Sequence, residues 1–290
     1  MLIKRIILIF FRDKSNVFFS LLAVLIILGL YVLFLGNIME QYLQTQLGFE
    51  SDRISIVMAS ITLAGMVAVT SVTGCMGALG ISVDDEQRTA KDFLISPASR
   101  GKITISYILG SAFVGFIMTL FALGICLVYI ASRGGGIPGL SDSLKLLLTL
   151  LLSVVCGNAM VYFLSMFIKT QNAFTAASTV IGTLIGFLMG IYIPIGQLPD
   201  TVQWVIKCFP MSHAASMFRQ ILVDGELSEL FASAPYETLD SFRETFGVVF
   251  SYGWFTSGFW FSAVVLALSA VLFYVLSLAI VFMTSRKSTL

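Results

Sequence analysis

The sequence predicts an all-α integral membrane protein with six transmembrane helices, on three observations. Of its 290 residues, 58% are hydrophobic and only 11% are charged, whereas a soluble domain carries roughly 25% charged residues. Too few charges remain to coat a globular surface. The charges are also segregated: Ile54–Val83 and Ile103–Ser132 are uncharged runs of 30 residues each, flanking one dense charged island. Finally, six stretches reach the length of about 20 apolar residues that crosses about 30 Å of hydrocarbon.

Taken in order, the chain reads as a single membrane domain over residues 1–290. Residues 1–15 place Leu2, Ile3, Ile6, Ile7 and Phe10 on one helical face, with Lys4, Arg5, Arg12 and Lys14 around it. That pattern suits a helix lying in the inner interface, although plain basic flanking of the first span accounts for the same residues. "MLIKR" is interrupted early by "FRDKSN" with no small-residue cleavage site after it, so no cleaved signal peptide is expected. The spans fall at about 17–36, 55–80, 103–131, 146–168, 174–193 and 258–283. Each 30-residue run is long enough for one tilted helix and too short for two.

Six spans put both termini on one side. Eleven lysines and arginines share that side, and six (Arg53, Arg133, Lys145, Lys207, Arg219 and Arg243) lie opposite on longer loops. The positive-inside rule then assigns the termini and the island at 84–102 to the cytoplasm. The expected location is the cytoplasmic membrane, with outer loops at 36–53, 132–145 and 194–257.

Several functions are disfavoured. A net charge of +1 offers no basic face for nucleic acid. No Asp, Glu, Lys, Arg or His falls in the middle of a span, whereas ion-coupled carriers need an ionisable group at depth. Cys75, Cys126, Cys156 and Cys208 have no metal-ligand or CxxC spacing and read as small hydrophobes. His213 stands alone, so neither a metal centre nor an intramembrane enzyme is expected. "RGGGIPG" at Arg133–Gly139 lacks the Lys-Ser/Thr of a phosphate loop. No cofactor is expected to bind this chain.

What the spans do offer is close packing. Gly182, Gly186 and Gly190 repeat at four-residue spacing, a ridge on which another backbone can settle, within the chain or from a second subunit. Thr70, Ser71 and Thr73 with Gly74, Gly77 and Gly80 form a small, mildly polar stripe, able to line a pathway or to serve a close helix crossing. Asn158 is the strongest polar group in a span, read as pathway lining or as an interhelical hydrogen-bond partner.

The island "DDEQRTAKDFLISPASRGK" predicts a short helix at 84–98. Asp84, Asp85 and Glu86 favour its N-terminus, and Pro97 stops it. Phe93, Leu94 and Ile95 give it an apolar cluster that a solvated loop would not need.

On these residues the chain resembles the membrane subunits of ABC exporters of the ABC-2 type. That family carries a cytoplasmic coupling helix between spans two and three, and "EQRTAKDFLISPASR" matches its pattern through Glu86, Thr89, Leu94, Ser96, Pro97 and Arg100. Arg88 stands where the family usually has glycine. After span five, "PIGQLPDTVQWVIKCFPMSHAASMFRQILVDG" (194–225) resembles the family's outer re-entrant hairpin through Pro194, Leu198, Pro199, Pro210 and Arg219.

The resemblance implies a separate cytoplasmic ABC ATPase that holds ATP and Mg, and a second permease subunit, identical or paralogous. It assigns coupling to Glu86, Arg88, Thr89, Asp92, Phe93, Leu94, Pro97 and Arg100. Spans one, two and five line the pathway or the subunit contact, and Pro194, Pro199, Pro210 and Arg219 belong to an outer gate. The small loops resemble the drug, antibiotic and hydrophobic-metabolite branch. A non-transporting scaffold or immunity subunit, or an ion-coupled carrier or channel, is the alternative expectation.

Overall fold

A computed structural model describes residues 2–47, 51–88, 100–168, 170–231 and 236–287. Among the described residues the regular structure is helical, apart from one isolated bridge between Ser251 and Thr256.

Helix α1 (Leu2–Arg12) buries Ile6 and Phe10, one turn apart on the face that the apolar spacing predicts. Ile6 fills the hollow at Gly110 and Phe10 the hollow at Gly77, so this helix is wedged against the bundle. Asp13 ends it and caps the next, accepting bonds from the Ser15 and Asn16 amides at 3.0 and 3.1 Å. Helix α2 (Lys14–Leu30) runs through a π-helical turn at Tyr31–Leu35 into α3 (Gly36–Leu47). The chain therefore stays helical well into residues 36–53, where a loop was expected.

Helix α4 (Asp52–Arg88) is a single 37-residue element, followed by α5 (Arg100–Ser132) and α6 (Leu140–Ser165). Helix α4 is the axis of the fold, with nearly all of its apolar stretch buried. Its sequence explains why: the backbone is bare at Gly65, Gly74, Gly77 and Gly80, so neighbours approach from several sides. Gly74 meets Met118 and Gly115 of α5, and Gly157 of α6 lies over the Ser71 carbonyl.

Helix α7 (Gln171–Leu188) packs chiefly on α4. A 3-10 turn at Ile195–Gln197 leads to α8 (Asp200–Cys208) and α9 (Pro210–Leu230); α10 (Tyr236–Thr245) and α11 (Phe259–Lys287) follow. Five helical stretches are long and apolar enough to cross a membrane: 14–45, 53–81, 101–132, 140–165 and 259–281. The stretch expected at 174–193 corresponds to α7, which spans 18 residues, or about 27 Å at 1.5 Å per residue.

Helix α9 runs antiparallel to α4. Arg219 faces Ile61, and one turn or more later Glu226 and Glu229 pair with Arg53. Its N-terminal half therefore reaches towards the middle of α4, and residues 211–219 are all buried.

Candidate functional site

A cleft of about 480 Å³ opens between α2, α4 and α7. Helix α2 supplies an aliphatic wall of Leu22, Ile26 and Ile27, with Asn16 and Ser20 at its start. Helix α7 supplies the opposite wall, Gln171, Thr175, Ser178, Thr179, Gly182 and Thr183, which repeat at three- and four-residue spacing and so share one face. The floor is Val69, Thr73, Met76, Gly77 and Gly80 of α4. Phe174 and Tyr192 complete it.

Of the residues expected to line a pathway, Thr73 does face this cleft. Thr70 and Ser71 are buried and donate to the Met66 and Ala68 carbonyls of their own helix. Asn158 is fully enclosed, donating to the Ser111 hydroxyl at 2.7 Å and the Ile108 carbonyl at 3.3 Å, and accepting from the Tyr274 hydroxyl at 3.2 Å. It ties α5, α6 and α11 together inside the bundle and does not line this cleft.

The glycine repeat divides in the same way. A Cβ on Gly182 would meet nothing within 4 Å, so this position is open. A Cβ on Gly186 would lie 2.6 Å from the Tyr192 ring of the same chain. Gly190 is not on the helix: it adopts φ +60° and ends α7 in a Schellman motif, with Ile191 donating to the Gly186 carbonyl and Gly190 to that of Phe187. The expected three-glycine ridge is thus one open position, one position filled by Tyr192 and one helix stop. Gly186→Leu is expected to cost about 1–3 kcal/mol of stability by overpacking, and adding Tyr192→Ala should recover part of it. Thermal unfolding of the two variants in detergent checks this.

The second feature is the segment expected to form the outer hairpin. Pro194 precedes the 3-10 turn, Pro199 precedes α8, and Pro210 occupies the first turn of α9, where its missing N–H is harmless. Arg219 is fully buried, and its guanidinium donates to four main-chain carbonyls. These are Ile61 at 3.1 Å, Gly247 at 3.3 Å, Met189 at 2.6 Å and Gly190 at 3.0 Å. Two of the four lie at the C-terminal end of α7, where the helix dipole presents partial negative charge. Burial pushes the Arg219 guanidinium down to about 10, so it remains a cation at neutral pH. Among the described residues its charge is balanced by carbonyl dipoles rather than by a carboxylate.

His213, also on α9, is buried between the Ser262 hydroxyl and the Lys207 carbonyl, each at 3.1 Å. Burial lowers its affinity for protons. Among the described residues no three His, Cys, Asp or Glu side chains gather as a metal site.

For the expected coupling residues, Glu86 and Arg88 fall in the last turn of α4 and Arg100 opens α5. Thr89, Asp92, Phe93, Leu94 and Pro97 lie outside the described residues.

Three positions around these features carry no obvious signal in the sequence. Gly65 leaves room for Arg219 to reach Ile61, since a Cβ there would stand 3.2 Å from Nη2 and 2.7 Å from Ile191. Gly247 adopts φ +65° against Ile195 and Arg219. Tyr192 covers Gly186 and borders the cleft. The pairing of one cation with glycines at distant positions was the available clue.

A model of the family described as ABC-2 family transporter protein matches residues 37–279. No curated protein matches the chain.

Proposed function

Because the chain belongs to the ABC-2 transporter family, a family of multi-pass membrane permeases without a catalytic site of their own, we propose that it is the permease subunit of an ATP-driven exporter. It would move a hydrophobic or amphipathic molecule, such as a drug, antibiotic, toxin or lipid-like metabolite, out across the cytoplasmic membrane. A separate cytoplasmic ABC ATPase holds the ATP and Mg, and a second permease subunit completes the pathway. In this reading α7 with the turn after it is the sixth span, both termini are cytoplasmic, and α8 and α9 form an outer re-entrant gate.

The observation that carries the proposal is the cleft between α2, α4 and α7. It begins near the cytoplasmic ends of those helices, at Asn16, Gly80 and Gln171, beside the end of α4 that leads into the charged island. Its residues are uncharged among the described ones, which favours ATP-driven over ion-coupled movement. Exposed Val180, Leu184 and Phe187 on α7 suit the approach of the second subunit.

Purified protein reconstituted with its partner ABC ATPase tests this reading. Candidate amphiphiles should stimulate ATP hydrolysis and accumulate in inside-out vesicles when ATP is supplied. A scaffold or immunity subunit would leave both unchanged, and that result would overturn the proposal.

A further inference from the structure

We infer that the cleft selects an uncharged amphiphile whose head is rich in hydrogen-bond donors, a hydroxyl- or amide-bearing group on an apolar body. The inference rests on the permease reading above and narrows its cargo.

The argument starts from where the hydroxyl protons go. Thr175 donates to the Gln171 carbonyl at 3.0 Å and Thr179 to that of Thr175 at 3.0 Å. Thr183 donates to the Thr179 carbonyl at 2.7 Å, and Thr73 on the floor donates to Val69 at 3.3 Å. Each of these hydroxyls has committed its one proton to its own helix, so it turns only acceptor lone pairs towards the cleft. The Gln171 Oε1 atom is buried with no hydrogen-bond partner, and so is the Ser178 Oγ atom. The Gln171 oxygen can only accept, and a buried acceptor without a partner is costly; the Ser178 hydroxyl can accept or donate. Both belong to residues that line this cleft. Four committed threonine hydroxyls and the Gln171 oxygen outnumber the donors this side can offer, the Gln171 amide N–H groups and the Ser178 hydroxyl, so the cleft favours a head with donors to give.

The facing wall asks for something else. Leu22, Ile26 and Ile27 present hydrocarbon to the same space, with Phe174 and Met76 between the two walls. A volume of about 480 Å³ falls within the roughly 300–1,000 Å³ of small-molecule sites. Nothing charged lines the cleft among the described residues. An anion would meet lone pairs, and a cation would leave water without a carboxylate to receive it, which is unfavourable in a low-dielectric site. A neutral polyhydroxylated or N–H-bearing head on a hydrocarbon body satisfies both walls at once.

The test uses full-length protein, without its ATPase, in phosphatidylcholine nanodiscs, with tritiated octyl β-glucoside below its micellar threshold as the probe. Protein-free nanodiscs supply the background. Competitors keep the octyl chain and change the head: tetraethylene glycol (acceptors alone), carboxylate and ammonium. Octyl glucoside should displace the label at least tenfold better than any of the three. Thr179→Val, which keeps shape and removes the acceptor, should weaken binding about fivefold, the scale of one neutral hydrogen bond. Gly182→Leu enters open space and should reduce binding without lowering the thermal midpoint, since leucine favours the helix more than glycine does. Equal displacement by all heads, preference for a charged head, or wild-type binding by both variants would overturn the inference. Adding monogalactosyl diacylglycerol to the nanodiscs separates the two sources: loss of label marks a lipid headgroup as the occupant, and retention marks a free amphiphile. Because no ATPase is present, failure here leaves the permease reading intact. Intact selectivity with no stimulated hydrolysis would overturn that reading instead.

Discussion

Arg219→Met is expected to be the most destabilising single substitution in the molecule, lowering stability by about 3–5 kcal/mol, the range for removing one partner of a buried charged interaction. Methionine fills much of the same volume without donors, so the loss is chiefly one of hydrogen bonds. Four carbonyls, on Ile61, Met189, Gly190 and Gly247, would lose the guanidinium that draws them together, and those at the end of α7 have no following helical turn to serve them. Because main-chain acceptors cannot be mutated away, no compensating apolar replacement exists. Arg219→Lys keeps the charge but concentrates it on one nitrogen, which cannot reach three separate segments, so it should fall between Met and the native residue. Thermal unfolding followed by size-exclusion chromatography in detergent reads the series. A methionine variant with the native midpoint would show that the outer hairpin is held elsewhere.

Under the proposed function, Phe93→Asp should abolish productive association with the partner ATPase while leaving membrane insertion unchanged. Phe93, Leu94 and Ile95 are the apolar cluster of an otherwise charged stretch. Burying a phenylalanine on docking contributes about 1.5–3 kcal/mol. Replacing it by aspartate forfeits that and adds the desolvation of a carboxylate. Every 1.4 kcal/mol is tenfold in affinity, so co-purification and stimulated ATP hydrolysis should both drop by about two orders of magnitude. Residue 93 lies between spans, so hydropathy-driven insertion has no reason to change. Undiminished co-purification would move the docking surface away from the island.

The two substitutions probe features of different legibility. The island stood out because eight charges between two long uncharged runs are visible without any structure. Spans were legible for the same reason, since lipid exacts long apolar runs locally in sequence. The Arg219 knot was not legible, because its partners lie 158, 30, 29 and 28 residues away and are carbonyls that every residue type possesses. Glycines at four-residue spacing look identical whether the helix continues or stops. Only the positive φ of Gly190, with Pro194 soon after, distinguishes a stop from a ridge. The π-helical turn at Tyr31–Leu35 likewise leaves no compositional trace. Asn158 was recognisable as polar, but its closure between Ser111 and Tyr274 depends on which helices meet.

The unbroken length of α4 has a mechanical consequence. It contains no proline and no break from Asp52 to Arg88, so it behaves as a stiff beam. Near its outer end Arg219 clasps it at Ile61 and Arg53 pairs with α9, which makes that region a fulcrum. At 1.5 Å per residue, Arg88 lies about 40 Å from the fulcrum and Thr73, in the cleft, about 18 Å. A push of about 5 Å at the Arg88 end would then shift the cleft floor by about 2 Å, enough to disturb hydrogen bonds of about 3 Å. The outer hairpin, close to the fulcrum, would scarcely move until its clasp gave way.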